Sequence, residues 1–116
     1  MPYLRIQTNR SVEPEAGAVL MSRASSLLSA QLGKSESYIM VSIEDEAPMI
    51  FAGNPEPLAY LELKSIGLPD DLTPALAEAL CTLLGEELGI PSDRIYIEFA
   101  NAERHLWGWN GRTLGG

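Results

Sequence analysis

Histidine and cysteine are almost missing from this chain of 116 residues, each occurring once, as His105 and Cys81. A single histidine cannot assemble a His-based triad or a multi-histidine metal site. A single cysteine forms neither an internal disulfide nor a CxxC redox pair, and suits a reducing compartment without excluding leaderless export. Basic side chains are scarce as well: eight Lys and Arg stand against sixteen Asp and Glu, a formal net charge of −8. So acidic a chain lacks the basic face that binds nucleic acid or an anionic membrane, so neither is expected as a partner, and any anion site must be local. Leu27, Leu28, Leu80, Leu83 and Leu84 fall in short, interrupted stretches, far from the roughly twenty apolar residues of a membrane span. The opening MPYLRIQTNR lacks the apolar core of a secretory signal, which makes the cytoplasm the expected location. Gly108, Gly111, Gly115 and Gly116 do not sit between a strand and a helix, so no phosphate loop and no nucleotide cofactor is indicated. Asp70-Asp71 and Glu44-Asp45-Glu46 read as solvated surface charge, and no metal is expected.

What is present is enough hydrophobic residue, 46%, for one modest core, hence a single domain over 1–116. Laid against itself without gaps at an offset of 56 residues, the chain repeats: Leu20, Ala24, Leu27, Leu28 and Leu32 fall on Leu76, Leu80, Leu83, Leu84 and Leu88. Their spacing is one face of an amphipathic helix. Gly33 and Gly89 follow as C-terminal stops, while Pro14 after Glu13, and Pro74 after the N-cap candidate Thr73, mark the starts. Downstream, 38–43 aligns with 94–99 as a β-rich strand; upstream, 3–8 and 59–64 alternate apolar with polar residues as half-buried strands. The halves, about 1–56 and 57–116, each read βαβ. Together they predict an α+β fold, a four-stranded sheet with two helices on one face.

The other face is left bare, and the alternation is read as placing apolar side chains on both surfaces, so a closed homo-oligomer is expected to cover it. The aromatic tail 106–114 predicts short C-terminal strands, able to extend as a hairpin to a neighbour's sheet edge.

The bland reading of Pro2 is the start of a strand, yet methionine before proline is normally removed, which would leave a secondary amine there. An α-amino group titrates near pH ~8. Desolvation and a neighbouring cation both lower that value, and a neutral prolyl nitrogen is a capable general base. Lys34, directly after Gly33, is the candidate cation, though a lysine at a helix C-terminus is equally accounted for by the helix dipole. With Met1 attached, the Pro2 nitrogen is an amide and has no basic lone pair.

The strings MPYLRIQTN, Gly33-Lys34, Lys64-Ser65-Ile66-Gly67, Ser92-Asp93-Arg94-Ile95-Tyr96-Ile97 and Gly108-Trp109-Asn110, in this order and spacing, resemble macrophage migration inhibitory factor and its tautomerase relatives, here in a microbial form. The resemblance implies a homotrimer with active sites between subunits and cofactor-free enol–keto tautomerisation of phenylpyruvate-like, small aromatic α-keto acids. It makes Pro2 the base, Lys34 the holder of the substrate carboxylate, and the Ile66 N–H, next to Ser65, a second anchor, with Tyr96 supplied by the adjacent subunit. Tyr38, Trp109 and Leu114 match the apolar wall, where core or interface packing explains them as well.

Glu98 departs from the family's usual asparagine on the same strand face as Tyr96; a carboxylate there would raise the Pro2 pKa and repel an anionic substrate. Trp107 and Tyr3 are bulkier than the usual residues at the site mouth. The vertebrate CxxC is replaced by Pro57-Leu58-Ala59-Tyr60. Two alternatives stay open: a cytokine-like binding protein with a vestigial site, or a tautomerase acting on a different unsaturated or α-keto acid.

Overall fold

The strands and helices follow the two periods in the sequence. In this computed structural model, which describes residues 1–115, β1 (Tyr3–Thr8), α1 (Pro14–Leu32) and β2 (Met40–Glu44) are followed by β3 (Ala59–Ile66), α2 (Thr73–Leu88) and β4 (Ile95–Ala102). The four strands form one sheet in the order β2-β1-β3-β4. β1 runs parallel to β2 and β3 runs parallel to β4, while β1 and β3 meet antiparallel. The architecture is thus α+β, a four-stranded sheet and two helices. A two-stranded hairpin, β5 (Gly108–Trp109) and β6 (Arg112–Thr113), stands apart from the main sheet.

Period-two alternation in β1 buries Leu4, Ile6 and Thr8 and leaves Tyr3, Arg5 and Gln7 half-buried on the opposite face. On the covered face these meet Leu61 and Leu63 of β3 and the repeated helix residues, Leu20, Ala24 and Leu28 from α1 and Leu76, Leu80, Leu83, Leu84 and Leu88 from α2. Both helices end on a left-handed glycine, Gly33 at φ 65° and Gly89 at φ 68°, a conformation in which a Cβ is costly. Thr8, although polar, is buried at no loss because its Oγ1 donates to the Leu58 carbonyl at 2.7 Å.

Several sequence expectations shift. Thr73 is not the cap of α2 but its first residue: Asp70–Leu72 already forms a 3₁₀ turn leading into the helix, and the Thr73 hydroxyl donates to the Asp70 carbonyl at 2.9 Å. Tyr38 and Arg94 end 3₁₀ turns, Glu36–Tyr38 and Ser92–Arg94, so their strands begin one or two residues later. β3 and β4 in turn run further than the alternation suggested, pairing in register from Ala59–Ile95 to Ile66–Ala102.

The larger correction concerns the face away from the helices, which is mixed: beside the exposed Met40 and Tyr96 it carries a network of paired polar and charged groups. Arg5 reaches Glu44 at 2.7 Å and Glu62 at 3.2 Å, and Lys64 reaches Glu62 at 3.4 Å. Gln7 donates to Glu44 at 2.8 Å, Tyr60 donates to Glu98 at 3.0 Å, and the Tyr3 and Ser42 hydroxyls are 2.7 Å apart. The register sets these groups side by side: Arg5 lies opposite both Ser42 and Glu62, and Glu62 lies opposite Glu98.

The connection between β2 and β3, residues 45–58, is held by one guanidinium. Arg94 donates to the carbonyls of Phe51 (3.1 Å), Asn54 (3.1 Å), Glu56 (3.0 Å) and Pro57 (3.0 Å), and lies 5.3 Å from the Phe51 ring centroid. The planar fork suits four convergent carbonyls in a way an ammonium cannot match. Arg94→Ala is expected to cost about 1.5–3 kcal/mol, the worth of hydrogen bonds to a charged donor, with Arg94→Lys recovering only part. Urea unfolding of the two variants measures this, and an unchanged midpoint in the alanine variant would remove the loop-clasp account.

Candidate functional site

Pro2 precedes a central strand, a position proline tolerates because it is the strand's entry and needs no ladder N–H. It is buried, and its carbonyl accepts the Met40 N–H at 3.0 Å. The antiparallel register of β1 with β3 ends at Tyr3–Lys64; carried two residues further it sets Pro2 opposite Ser65 and Met1 opposite Ile66. The amino terminus therefore emerges at the end of β3, beside the C-terminus of α1.

Two adjoining cavities meet there, both lined by Met1 and Tyr38. One of 230 Å³ includes Pro2, Tyr3, Trp107 and Trp109. The other, of 390 Å³, includes Lys34, Ile66, Arg104 and Leu114. Lys34 is fixed by the helix stop: its N–H donates to Ser29 O at 3.3 Å, and Ser29 Oγ donates to its carbonyl at 2.5 Å. The terminal amine of Met1 is held below its ordinary pKa of 8.0, first by burial and second by the charge of Lys34. Both causes disfavour the ammonium form.

The apolar wall is made by the C-terminal hairpin. Asn110 at φ 55° and Gly111 at φ 78° form its two-residue turn, the Asn-Gly pair that tight hairpins favour because both positions need φ > 0. The turn returns the Leu114 N–H to the Trp107 carbonyl at 3.1 Å. Tyr38 and Trp109 pack edge-on with centroids 5.8 Å apart. Gly115 lies so close to His105 that a Cβ would stand 2.7 Å from its Cα, so a larger residue there would push the two segments apart.

Pro2, Lys34, Ile66, Tyr38, Trp107, Trp109 and Leu114 are thus brought together. Ser65 is not a lining residue: alternation turns it to the helix side, where it is buried and its hydroxyl donates to the Ile66 carbonyl at 3.2 Å. Tyr96 and Glu98 are also absent from this end. Tyr96 lies opposite Tyr60, which lies opposite Gln7, five residues from Pro2 at about 3.3 Å each. It is 64% exposed and packs on Phe51, with ring centroids 4.7 Å apart. Glu98 accepts from Tyr60, whose phenol is pushed up by burial and by that carboxylate.

Sequence reasoning missed Arg104 as a lining residue. Only the closed hairpin brings it near Lys34, with its Nη2 donating to the Leu114 carbonyl at 3.2 Å. A separate hollow of 430 Å³ is lined only by the two helices, including Arg23, Leu27, Leu83 and Glu86, and lies away from the amino terminus. Cys81 is half-buried, and burial raises its thiol pKa, keeping it protonated. Among the described residues no group of three or more His, Cys, Asp or Glu could hold a metal ion, and no helix is long and apolar enough to cross a membrane.

Comparison with known proteins follows this geometry closely. The family model described as macrophage migration inhibitory factor matches residues 1–115. A macrophage migration inhibitory factor homolog of Brugia malayi is 39% identical over 99% of this chain and 100% of its own length. The macrophage migration inhibitory factor of Meriones unguiculatus is 35% identical over 98% and 99%. Among solved structures, a macrophage migration inhibitory factor homologue from Prochlorococcus marinus superposes with a TM-score of 0.93 at 42% identity, covering 97% of this chain and 99% of that one.

Proposed function

The chain belongs to the macrophage migration inhibitory factor family, and from that premise we propose that it is an enol–keto tautomerase of phenylpyruvate-like acids, with Pro2 as general base once Met1 is removed. The observation that carries this is the amino terminus itself, half-buried in a cavity where burial and Lys34 hold an amine below its usual pKa.

Lys34 receives the substrate carboxylate, and the Ile66 N–H anchors an oxygen at the same end. Tyr38, Trp109 and Leu114 hold the aryl ring, Trp107 narrows the mouth, and Ser65 positions Ile66 from behind. The neutral prolyl nitrogen takes a proton from the carbon next to the carbonyl as the carbon–carbon double bond forms, and the protonated amine then gives that proton to the carbonyl oxygen, leaving the enol and a neutral amine. In reverse, the neutral amine takes the enol O–H proton and delivers it to carbon as the carbonyl re-forms. Preorganised positive charge at the carboxylate end stabilises the electron density moving toward oxygen.

Tyr96 and Glu98 complete the site only from a second copy, so the working form is a homotrimer with a site at each interface. In it the chain acts as one domain over 1–116, and Glu98 opposes the lowering of the amine pKa. Sedimentation should give three times the 12.6 kDa of one chain. Ketonisation of phenylpyruvate enol, followed by absorbance with protein shown by intact mass to begin at Pro2, tests the activity; no turnover above buffer overturns it. Lys34→Gln is expected to lower kcat/KM by about tenfold to a hundredfold, chiefly through KM, as loss of a charge-assisted hydrogen bond predicts.

A further inference from the structure

Tyr96 stands on an outermost strand of the sheet, β4, which is paired on one side only, to β3. Its ring is 64% exposed, and a tyrosine so placed turns among its rotamers unless a neighbour stops it. The Tyr3 and Tyr60 hydroxyls are tied to Ser42 and Glu98, whereas the Tyr96 hydroxyl has no hydrogen-bond partner among the described residues. What meets it is the ring of Phe51, edge-on, with centroids 4.7 Å apart and planes at 61°.

Phe51 is itself held from two directions. Its N–H donates to the Asn54 carbonyl at 3.0 Å and its carbonyl accepts the Asn54 N–H at 3.1 Å, closing a turn in which Ala52 (φ 53°) and Gly53 (φ 78°) are both left-handed. Arg94 donates to the same Phe51 carbonyl at 3.1 Å, and its guanidinium carbon lies 5.3 Å from the ring centroid. Arg94 and Tyr96, two residues apart at the start of β4, therefore both engage Phe51. Neither aromatic ring belongs to the hydrophobic core, so the stack fixes a side chain that faces outward instead of filling the interior.

We propose that Phe51 is a positioning residue: it presets the Tyr96 ring that one copy lends to its neighbour's site, and through that ring favours keto acids with an aryl group over alkyl ones. The proposal rests on the trimeric tautomerase reading above. A ring already fixed in one rotamer gives up no further freedom when a substrate ring meets it. An aromatic pair is worth about threefold to tenfold in affinity, and only when its geometry is kept. An alkyl chain has no such geometry to satisfy.

The test uses protein that begins at Pro2. Phe51→Leu keeps apolar bulk and removes the ring; it is expected to raise KM for phenylpyruvate about threefold to tenfold, with kcat and the pH inflection staying at their native values. Calorimetric binding of unreactive cinnamate should weaken by the same factor, while trans-2-hexenoate, with an alkyl chain in place of the ring, should bind as before. Phe51→Tyr, which keeps the ring edge, should restore native behaviour. In a Tyr96→Ala chain, Phe51→Leu should have no further effect, because the ring it acts through is gone. Unchanged cinnamate binding in Phe51→Leu, an equal loss for both ligands, or a loss that persists in Tyr96→Ala overturns the positioning role. Sedimentation checks that each variant keeps the native mass; should Phe51→Leu lose it, Phe51→Met takes its place under the same expectations. If the native chain does not turn over phenylpyruvate, the tautomerase assignment falls, and the cinnamate comparisons decide the role of Phe51 alone.

Discussion

Chains that have lost Met1 are expected to turn over phenylpyruvate about 10²–10⁴ times faster than chains that retain it, the range by which a positioned general base contributes. In the retained form the Pro2 nitrogen belongs to a planar amide whose lone pair is delocalised into the carbonyl, and Met1 forms part of the wall of both cavities. Excision does two things at once: it creates a secondary amine and removes a shared piece of wall beside it. The direction of the pH dependence follows from the surroundings of the amino terminus: burial and then Lys34 lower the pKa of the Met1 amine, and both causes act in the same direction on a Pro2 amine. The neutral amine is the active form. Hence kcat/KM should rise with pH and level off, with its inflection shifted down from that of a free prolyl amine, and in Lys34→Gln the inflection should move upward. Mass-resolved preparations of the two forms, assayed side by side, decide the matter. Equal activity would place the base elsewhere.

The second large effect concerns stability. Leu61 is 0% exposed and stands between Ile6 and Ile97 on the helix-covered side of the sheet, so Leu61→Ala removes methylenes from the middle of the only layer that both helices share. A cost of about 2–5 kcal/mol is expected, transfer free energy plus the cavity left behind. Val19→Ala, at a residue 48% exposed on α1, should stay within about 0.5 kcal/mol. Urea midpoints at one protein concentration compare the two, since in the proposed trimer the midpoint depends on concentration. Similar midpoints would mean that the covered face is not the core.

Much of the fold is written in periodicities. β1 was legible residue for residue because Tyr3–Thr8 alternates cleanly, and both helices were bounded by a proline at one end and a glycine at the other. The 3₁₀ turns at Glu36–Tyr38 and Ser92–Arg94 were not legible, since three-residue turns have no period to read. The polarity of the open face was misjudged because it depends on register, on Arg5 meeting Glu62 and Glu44 across two strands, and not on any one strand's pattern.

The site divides in the same way. Pro2 and Lys34 could be proposed from chemistry and resemblance, and the β1–β3 register and the stop of α1 explain their meeting. Arg104 could not, because its closeness to Lys34 is made by the hairpin turn at Asn110-Gly111, ten residues of chain folded back on themselves. Tyr96 was expected from another subunit, and its place at the far end of the sheet leaves a single copy without it.

The ion-paired ladder on the uncovered side of the sheet has a consequence for the newly made chain. An isolated subunit shows the outside world fixed plus and minus groups in place of a greasy plate, so a stray strand from an unrelated protein gains little by lying there. Only a surface with matching charges in the matching rows can replace the lost hydration, which makes the choice of companion a matter of pattern and not of stickiness.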